Sequence, residues 1–70
     1  MIKMRGHQEL EDFLADTGLT PSQLARMAYL TQMQVYHLIK GRRRASLNVA
    51  VALEKATRGR IKTKSWTEAA

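Results

Sequence analysis

The chain has 70 residues, a length that suits one small domain and permits only a small hydrophobic core. It contains no cysteine, which excludes disulfides and thiolate metal sites. Its net charge is +6, from 12 Lys and Arg against 6 Asp and Glu. The sequence lacks both an apolar run long enough for a membrane span and a secretory signal, so we expect a cytoplasmic protein.

The positive charge is unevenly distributed along the chain. Four basic and four acidic residues cancel in residues 1–40, whereas residues 41–70 carry eight basic and two acidic residues. A basic excess confined to one part of a chain favours a polyanionic partner. Nucleic acid is the first expectation, and an anionic membrane surface is the second.

The first predicted helix runs from His7 to Asp16. Leu10, Phe13 and Leu14 have the i, i+3, i+4 spacing of one buried stripe. Gly18 follows and suits the left-handed position that ends a helix. Residues 1–6 before this helix are expected to form a flexible basic arm, or alternatively to reach the DNA backbone or a minor groove.

The second helix has the clearest start signal in the chain. Thr20 is a predicted N-cap, Pro21 stands at the first helical position, and Gln23 completes a capping box. The helix is expected to end near Ala28 or Tyr29.

The third helix is predicted from the N-cap Thr31 to Lys40. Val35 and Leu38 supply its buried stripe, and no charged residue occurs from Thr31 to Ile39. Its predicted exposed residues are Gln32, Met33, Gln34, Tyr36, His37 and Lys40. Alternatively, Met33 and Tyr36 belong to the core.

A basic loop, residues 41–45, follows the third helix. Ser46 is the predicted cap of a fourth helix that extends to about Thr57, with Leu47, Ala50 and Leu53 facing inward.

The tail from Arg60 to Thr67 has an alternating pattern that predicts a short strand, or else a disordered segment. Ile61 and Trp66 are the expected exposed apolar anchors of a dimer interface. Trp66 alternatively folds back as a lid on the core.

About three residues separate the second helix from the third, so the two helices must cross steeply. This is helix-turn-helix geometry, in which the second helix of the pair enters the major groove of DNA. Gln side chains can bind adenine bidentately, and Met or Tyr can contact the thymine methyl group. The uncharged third helix, followed by Arg42–Arg44, fits base contacts flanked by phosphate contacts.

The segment from Leu19 to Leu53 resembles the Cro/cI-type, lambda-repressor-like helix-turn-helix family of phage and bacterial transcription regulators. The resemblance rests on Leu19, Thr20 to Gln23, Leu24-Ala25, Ala28, Leu30, Thr31, Val35, Leu38, Gly41, Arg42 to Arg44 and Ser46-Leu47. It implies an all-α fold, a compact domain of four helices spanning residues 7–58.

The resemblance also implies which residues contact DNA. The implied base contacts are Thr31, Gln32, Met33, Tyr36 and His37. The implied phosphate contacts are Thr20, Ser22, Gln23, Gln34, Lys40, Arg42, Arg43 and Arg44.

Two positions depart from the family pattern. Tyr29 stands where the turn usually has glycine, so either a left-handed backbone is strained there or the second helix runs one residue longer. Ala45 replaces a frequent proline, which loosens the basic loop.

The expected function is sequence-specific binding of double-stranded DNA by a homodimeric repressor at a palindromic operator, in a bacterial or phage-infected cell. The sequence has no glycine-rich phosphate loop, catalytic Ser/His/Asp set or His/Glu metal motif, so we expect no enzyme activity, cofactor, metal or small-molecule ligand. The alternatives are a protein-interaction module, such as the antitoxin of a toxin–antitoxin pair, and an RNA-binding protein.

Overall fold

A computed structural model describes residues 4–67. Four α-helices are followed by a short 3₁₀ helix: α1 (Arg5–Thr17), α2 (Pro21–Met27), α3 (Gln32–Ile39), α4 (Leu47–Ala56) and η1 (Thr63–Thr67). The all-α, four-helix fold expected from the sequence is confirmed. Within the described residues, no helix combines the length and the apolar character needed to cross a membrane.

The predicted start of α2 is confirmed in atomic detail. The backbone N–H of Gln23 donates to Thr20 Oγ1 at 3.1 Å, and the N–H of Thr20 donates to Gln23 Oε1 at 2.9 Å. Pro21 occupies the first turn, where its missing N–H leaves no hydrogen bond unmade. The two residues of the box thus satisfy two backbone donors that the helix itself leaves unpaired.

The ends of α2, α3 and α4 share one backbone pattern. In each, a residue with positive φ follows the C-cap, and the next N–H donates to the carbonyl five residues earlier, as in a Schellman motif. The left-handed residues are Tyr29 (φ 58°), Gly41 (φ 69°) and Arg58 (φ 55°). The corresponding bonds run from Leu30 to Ala25 (2.8 Å), Arg42 to His37 (3.1 Å) and Gly59 to Glu54 (2.8 Å).

One hydrophobic core joins all five helical segments. Its buried members are Leu10, Phe13, Leu24, Ala25, Ala28, Val35, Leu38, Ala50, Leu53, Ile61 and Trp66. The predicted stripes of α1 and α3 contribute as expected. Leu47 does not: its side chain is 72% exposed, because it occupies the first position of α4 while the inward stripe begins at Ala50.

Helix α1 begins earlier than predicted. Arg5 and Gly6, expected in a flexible arm, form its first turn after the N-cap Met4. Lys3 and the rest of the predicted arm, residues 1–3, lie outside the described residues.

The predictions for the tail are wrong in two respects. Residues 63–67 form a 3₁₀ helix, and no strand spans the tail between residues 60 and 67. Ile61 and Trp66 are 0% and 2% exposed, so they belong to the core of the single chain and are not the exposed anchors of a dimer interface. The lid alternative for Trp66 describes what the structure shows.

Polar contacts hold the tail against α1 and α4. Thr57 Oγ1 accepts from the N–H of Ile61 at 3.1 Å, and Thr63 donates to Glu54 at 2.7 Å. The N–H of Lys62 donates to Glu9 at 3.1 Å on the α1 side. These bonds fold the chain back and place the apolar side chains of the tail under α1.

Gly6 provides the space that Trp66 occupies. A Cβ at residue 6 would lie 2.3 Å from the nearest indole atom, far inside van der Waals contact. The first turn of α1 and the indole are therefore matched in shape, although Gly6 and Trp66 are 60 positions apart in the sequence.

Candidate DNA-binding surface

The segment from α2 to α3 forms a helix pair joined by a tight turn of four residues, 28–31. Tyr29 adopts the left-handed conformation at φ 58°, so the turn keeps its usual backbone and α2 is not extended by a residue. A non-glycine residue in this region costs roughly 1 kcal/mol. The Tyr29 side chain is 96% exposed, so no packing of its own offsets that cost.

The outer side of α3 is exposed and uncharged. Met33 and Tyr36 are 62% and 43% exposed, and Gln32 is also exposed. Val35 and Leu38, at 0% and 3%, face the opposite side. The alternative that placed Met33 and Tyr36 in the core is therefore excluded, and α3 presents amide, thioether and phenol groups outward.

Thr31 and Gln34 form a reciprocal capping box at the start of α3. The Thr31 N–H donates to Gln34 Oε1 at 2.9 Å, and the Gln34 N–H donates to Thr31 Oγ1 at 3.1 Å. The Thr31 hydroxyl also donates to Gln34 Oε1 at 3.3 Å. These bonds occupy the hydroxyl of Thr31 and the amide oxygen of Gln34, so the Thr31 methyl and the Gln34 amide nitrogen are the groups left to meet a ligand.

His37 lies half-buried at the edge of this surface. It lines a groove between α3 and the basic loop, opposite Arg43 and Arg44. Its Nδ1 is buried without a hydrogen-bond partner among residues 4–67. The His37 ring also packs edge-on to Tyr36, with centroids 6.3 Å apart.

The basic residues flank the uncharged surface of α3. Lys40 ends the helix, with its Nζ 5.3 Å from the centre of the Tyr36 ring. Arg42, Arg43 and Arg44 follow at once, and all three are exposed. At the start of α2, Thr20, Ser22 and Gln23 are exposed as well. An uncharged centre with cationic edges suits a duplex, whose phosphates flank each groove.

The family model for the helix-turn-helix matches residues 10–62, well over half of the chain. The chain belongs to the Cro/C1-type helix-turn-helix family. This helix-turn-helix protein is accordingly a DNA-binding transcription regulator. No curated protein and no solved structure matches the chain significantly.

Sequence reasoning missed one residue beside the surface of this helix-turn-helix protein. His7 is 5% exposed, and its Nε2 lies 2.8 Å from the carbonyl oxygen of Arg43 in the basic loop. In the sequence, His7 is only the first residue of the first predicted helix. Its contact spans 36 positions, and no local pattern around His7 signals it.

Proposed function

We propose that α3 is the recognition helix and that the protein is a Cro-like repressor that binds a palindromic operator as a homodimer. The observation that carries the proposal is the uncharged, exposed side of α3. Lys40 and Arg42–Arg44 lie at one end of this side, and the start of α2 lies at the other. Charged side chains normally cover the outer side of a surface helix. Their absence here is explained if that side meets base edges instead of water.

Each exposed side chain of α3 has a matching group in the major groove. Gln32 can both donate to adenine N7 and accept from adenine N6, as amide side chains do. Met33, Tyr36 and the Thr31 methyl can contact a thymine methyl group. His37 reaches the same groove from the edge, where a ring nitrogen can bind a base or a phosphate.

Phosphate contacts come from the flanks. Lys40 and the three loop arginines supply the charge, and the amide nitrogen of Gln34 supplies a neutral donor. The exposed polar side chains at the start of α2, Thr20, Ser22 and Gln23, complete the phosphate set expected from the sequence. These contacts fix the orientation of the protein on the duplex, whereas α3 determines the sequence.

The homodimer follows from the small size of one recognition helix. A single helix reads only a few base pairs, and two copies related by a two-fold axis read half-sites about one helical turn apart. The pairing surface must exclude Ile61 and Trp66, because both are buried within one chain. Repression requires no more than occupancy of an operator that overlaps a promoter.

Gln32→Ala tests the assignment of α3. We expect the variant to bind its preferred duplex more weakly by about 1–3 kcal/mol and to lose discrimination at one base position per half-site. The measurement is a fluorescence titration with a panel of duplexes that differ by single base pairs.

Gln8→Ala is the matched control, since Gln8 is an exposed glutamine on α1 that bonds to Asp12. This control should bind every duplex as the parent protein does. A uniform loss across the whole panel for Gln32→Ala would contradict a base contact by this residue.

A further inference from the structure

Arg42, Arg43 and Arg44 lie in a loop whose backbone is fixed from two sides. On one side, the N–H of Arg42 donates to the His37 carbonyl of α3 at 3.1 Å. On the other side, the Arg43 carbonyl oxygen lies 2.8 Å from His7 Nε2 of α1. The second contact joins the basic loop to α1, and it involves a histidine that no proposed DNA contact uses.

The hydrogen bonds of His7 determine where its ring proton lies. The backbone N–H of Met4 donates to His7 Nδ1 at 2.9 Å. A ring nitrogen that accepts carries no hydrogen, so the neutral ring bears its proton on Nε2. Nε2 therefore donates to the Arg43 carbonyl, and both ring nitrogens have a partner.

The position of the His7 ring is itself constrained. The ring meets the indole of Trp66 edge-on, with centroids 5.0 Å apart and an interplanar angle of 88°. Trp66 in turn occupies the space left by Gly6, the residue next to His7. The ring cannot move away from the loop without disturbing the buried indole, so His7 is a rigid donor.

The bond to His7 orients the peptide between Arg43 and Arg44. In a trans peptide the C=O and N–H point in opposite directions. A carbonyl of Arg43 aimed at buried His7 directs the N–H of Arg44 away from the protein interior. The same bond removes a carbonyl oxygen, which would repel a phosphate, from the exposed side of the loop.

We propose that His7 is a positioning residue for DNA binding, which holds the basic loop with its N–H and guanidinium groups turned toward the phosphates. This inference rests on the proposed function, because it assumes that Arg42–Arg44 contact DNA. His7 itself touches no DNA and acts through the Arg43 carbonyl. Its loss should lower affinity for every sequence alike.

His7→Asn and His7→Gln form a matched pair of variants for the test. Both are neutral and both remove the ring, so they share the loss of contact with Trp66. The Asn amide reaches only as far as Nδ1 and loses the donor to Arg43, whereas the longer Gln amide can place a donor near Nε2. We expect His7→Asn to bind a fluorescent mixed-sequence duplex roughly 3- to 10-fold more weakly than His7→Gln, the factor that one ordinary hydrogen bond gives.

The same pair is then compared in a background with Arg42, Arg43 and Arg44 changed to alanine. The Asn–Gln difference should shrink there, because the oriented loop no longer carries its guanidinium groups and only its backbone N–H groups still face the phosphates. A difference that persists unchanged would show that His7 acts through stability alone and would overturn the proposal. Equal binding of the pair in the parent background would overturn it as well.

The outcome also separates this inference from the function on which it rests. If the triple arginine change leaves affinity for DNA intact, the proposed phosphate contacts fail, and the role of His7 fails with them. If the triple change weakens binding and the Asn–Gln pair does not differ, only the role of His7 fails.

Nitrogen NMR of the unaltered protein reports which ring nitrogen of His7 carries the proton. This measurement does not depend on whether any variant folds. We expect the His7 ring proton on Nε2. A proton on Nδ1 would remove the donor to Arg43 and overturn the proposal.

Discussion

Leu24→Ala should lower the free energy of unfolding by about 2–5 kcal/mol, the cost of truncating a fully buried leucine. Leu24 is 0% exposed and lies in the core between α2 and the neighbouring helices. Domains are typically stable by only about 5–15 kcal/mol, and a small core places this one at the low end. We therefore expect a large fall in the melting temperature, of about 4–8 °C for each kcal/mol lost.

Circular dichroism melts of Leu24→Ala and Val35→Ala provide the measurement. Val35 is also 0% exposed, and its truncation removes two side-chain carbons instead of three, so the melting temperature of Val35→Ala should fall by less. Met33→Ala is the control on the same helix as Val35, since Met33 is 62% exposed. Melts of the two core variants that coincide with the melt of Met33→Ala would contradict the assigned core.

Replacing Arg42, Arg43 and Arg44 together by alanine should weaken binding to every duplex sequence and reduce its dependence on salt. Each phosphate contact contributes about 0.9 to the slope of log affinity against log salt concentration. Loss of three contacts should therefore lower the slope by close to 3. Base preference should stay the same, because the loop is proposed to contact phosphates only.

A control variant with the same change in net charge separates position from charge. In this control Lys55, Arg58 and Lys62 are replaced together by alanine. All three are exposed and lie at or beyond the last turn of α4. The basic loop precedes the first turn of α4, and a helix of 10 residues spans about 15 Å. The control should retain most of the slope of log affinity against log salt concentration. If the control loses as much of this slope as the loop variant does, DNA binding depends on the total charge of the protein and not on the loop.

The starts of α2 and α3 were predictable because their signals are local. Thr20 with Gln23 and Thr31 with Gln34 each place a hydroxyl and an amide three residues apart, and the paired hydrogen bonds form within one turn. The exposed side of α3 was predictable for a similar reason. Once Val35 and Leu38 are assigned inward, helical spacing places Gln32, Met33 and Tyr36 outward.

The tail and His7 were not predictable from the sequence because distant residues decide them. An alternating pattern around Ile61 cannot show whether its apolar side chains meet a second chain or their own core. The answer depends on Gly6, which leaves room for Trp66, and on Glu9, which accepts from the N–H of Lys62. The contact between His7 and Arg43 likewise joins two segments that only the folded chain brings together.

Selection of random duplex DNA by the purified protein at two salt concentrations, with sequencing of the bound pool, tests the central claim most directly. The proposed function predicts enrichment of a palindrome whose half-sites lie about 10 base pairs apart, at both salt concentrations. A pool retained only at low salt and without sequence enrichment would contradict sequence-specific binding and indicate general affinity for nucleic acid. No retention even at low salt would contradict DNA binding by this surface and favour a protein partner.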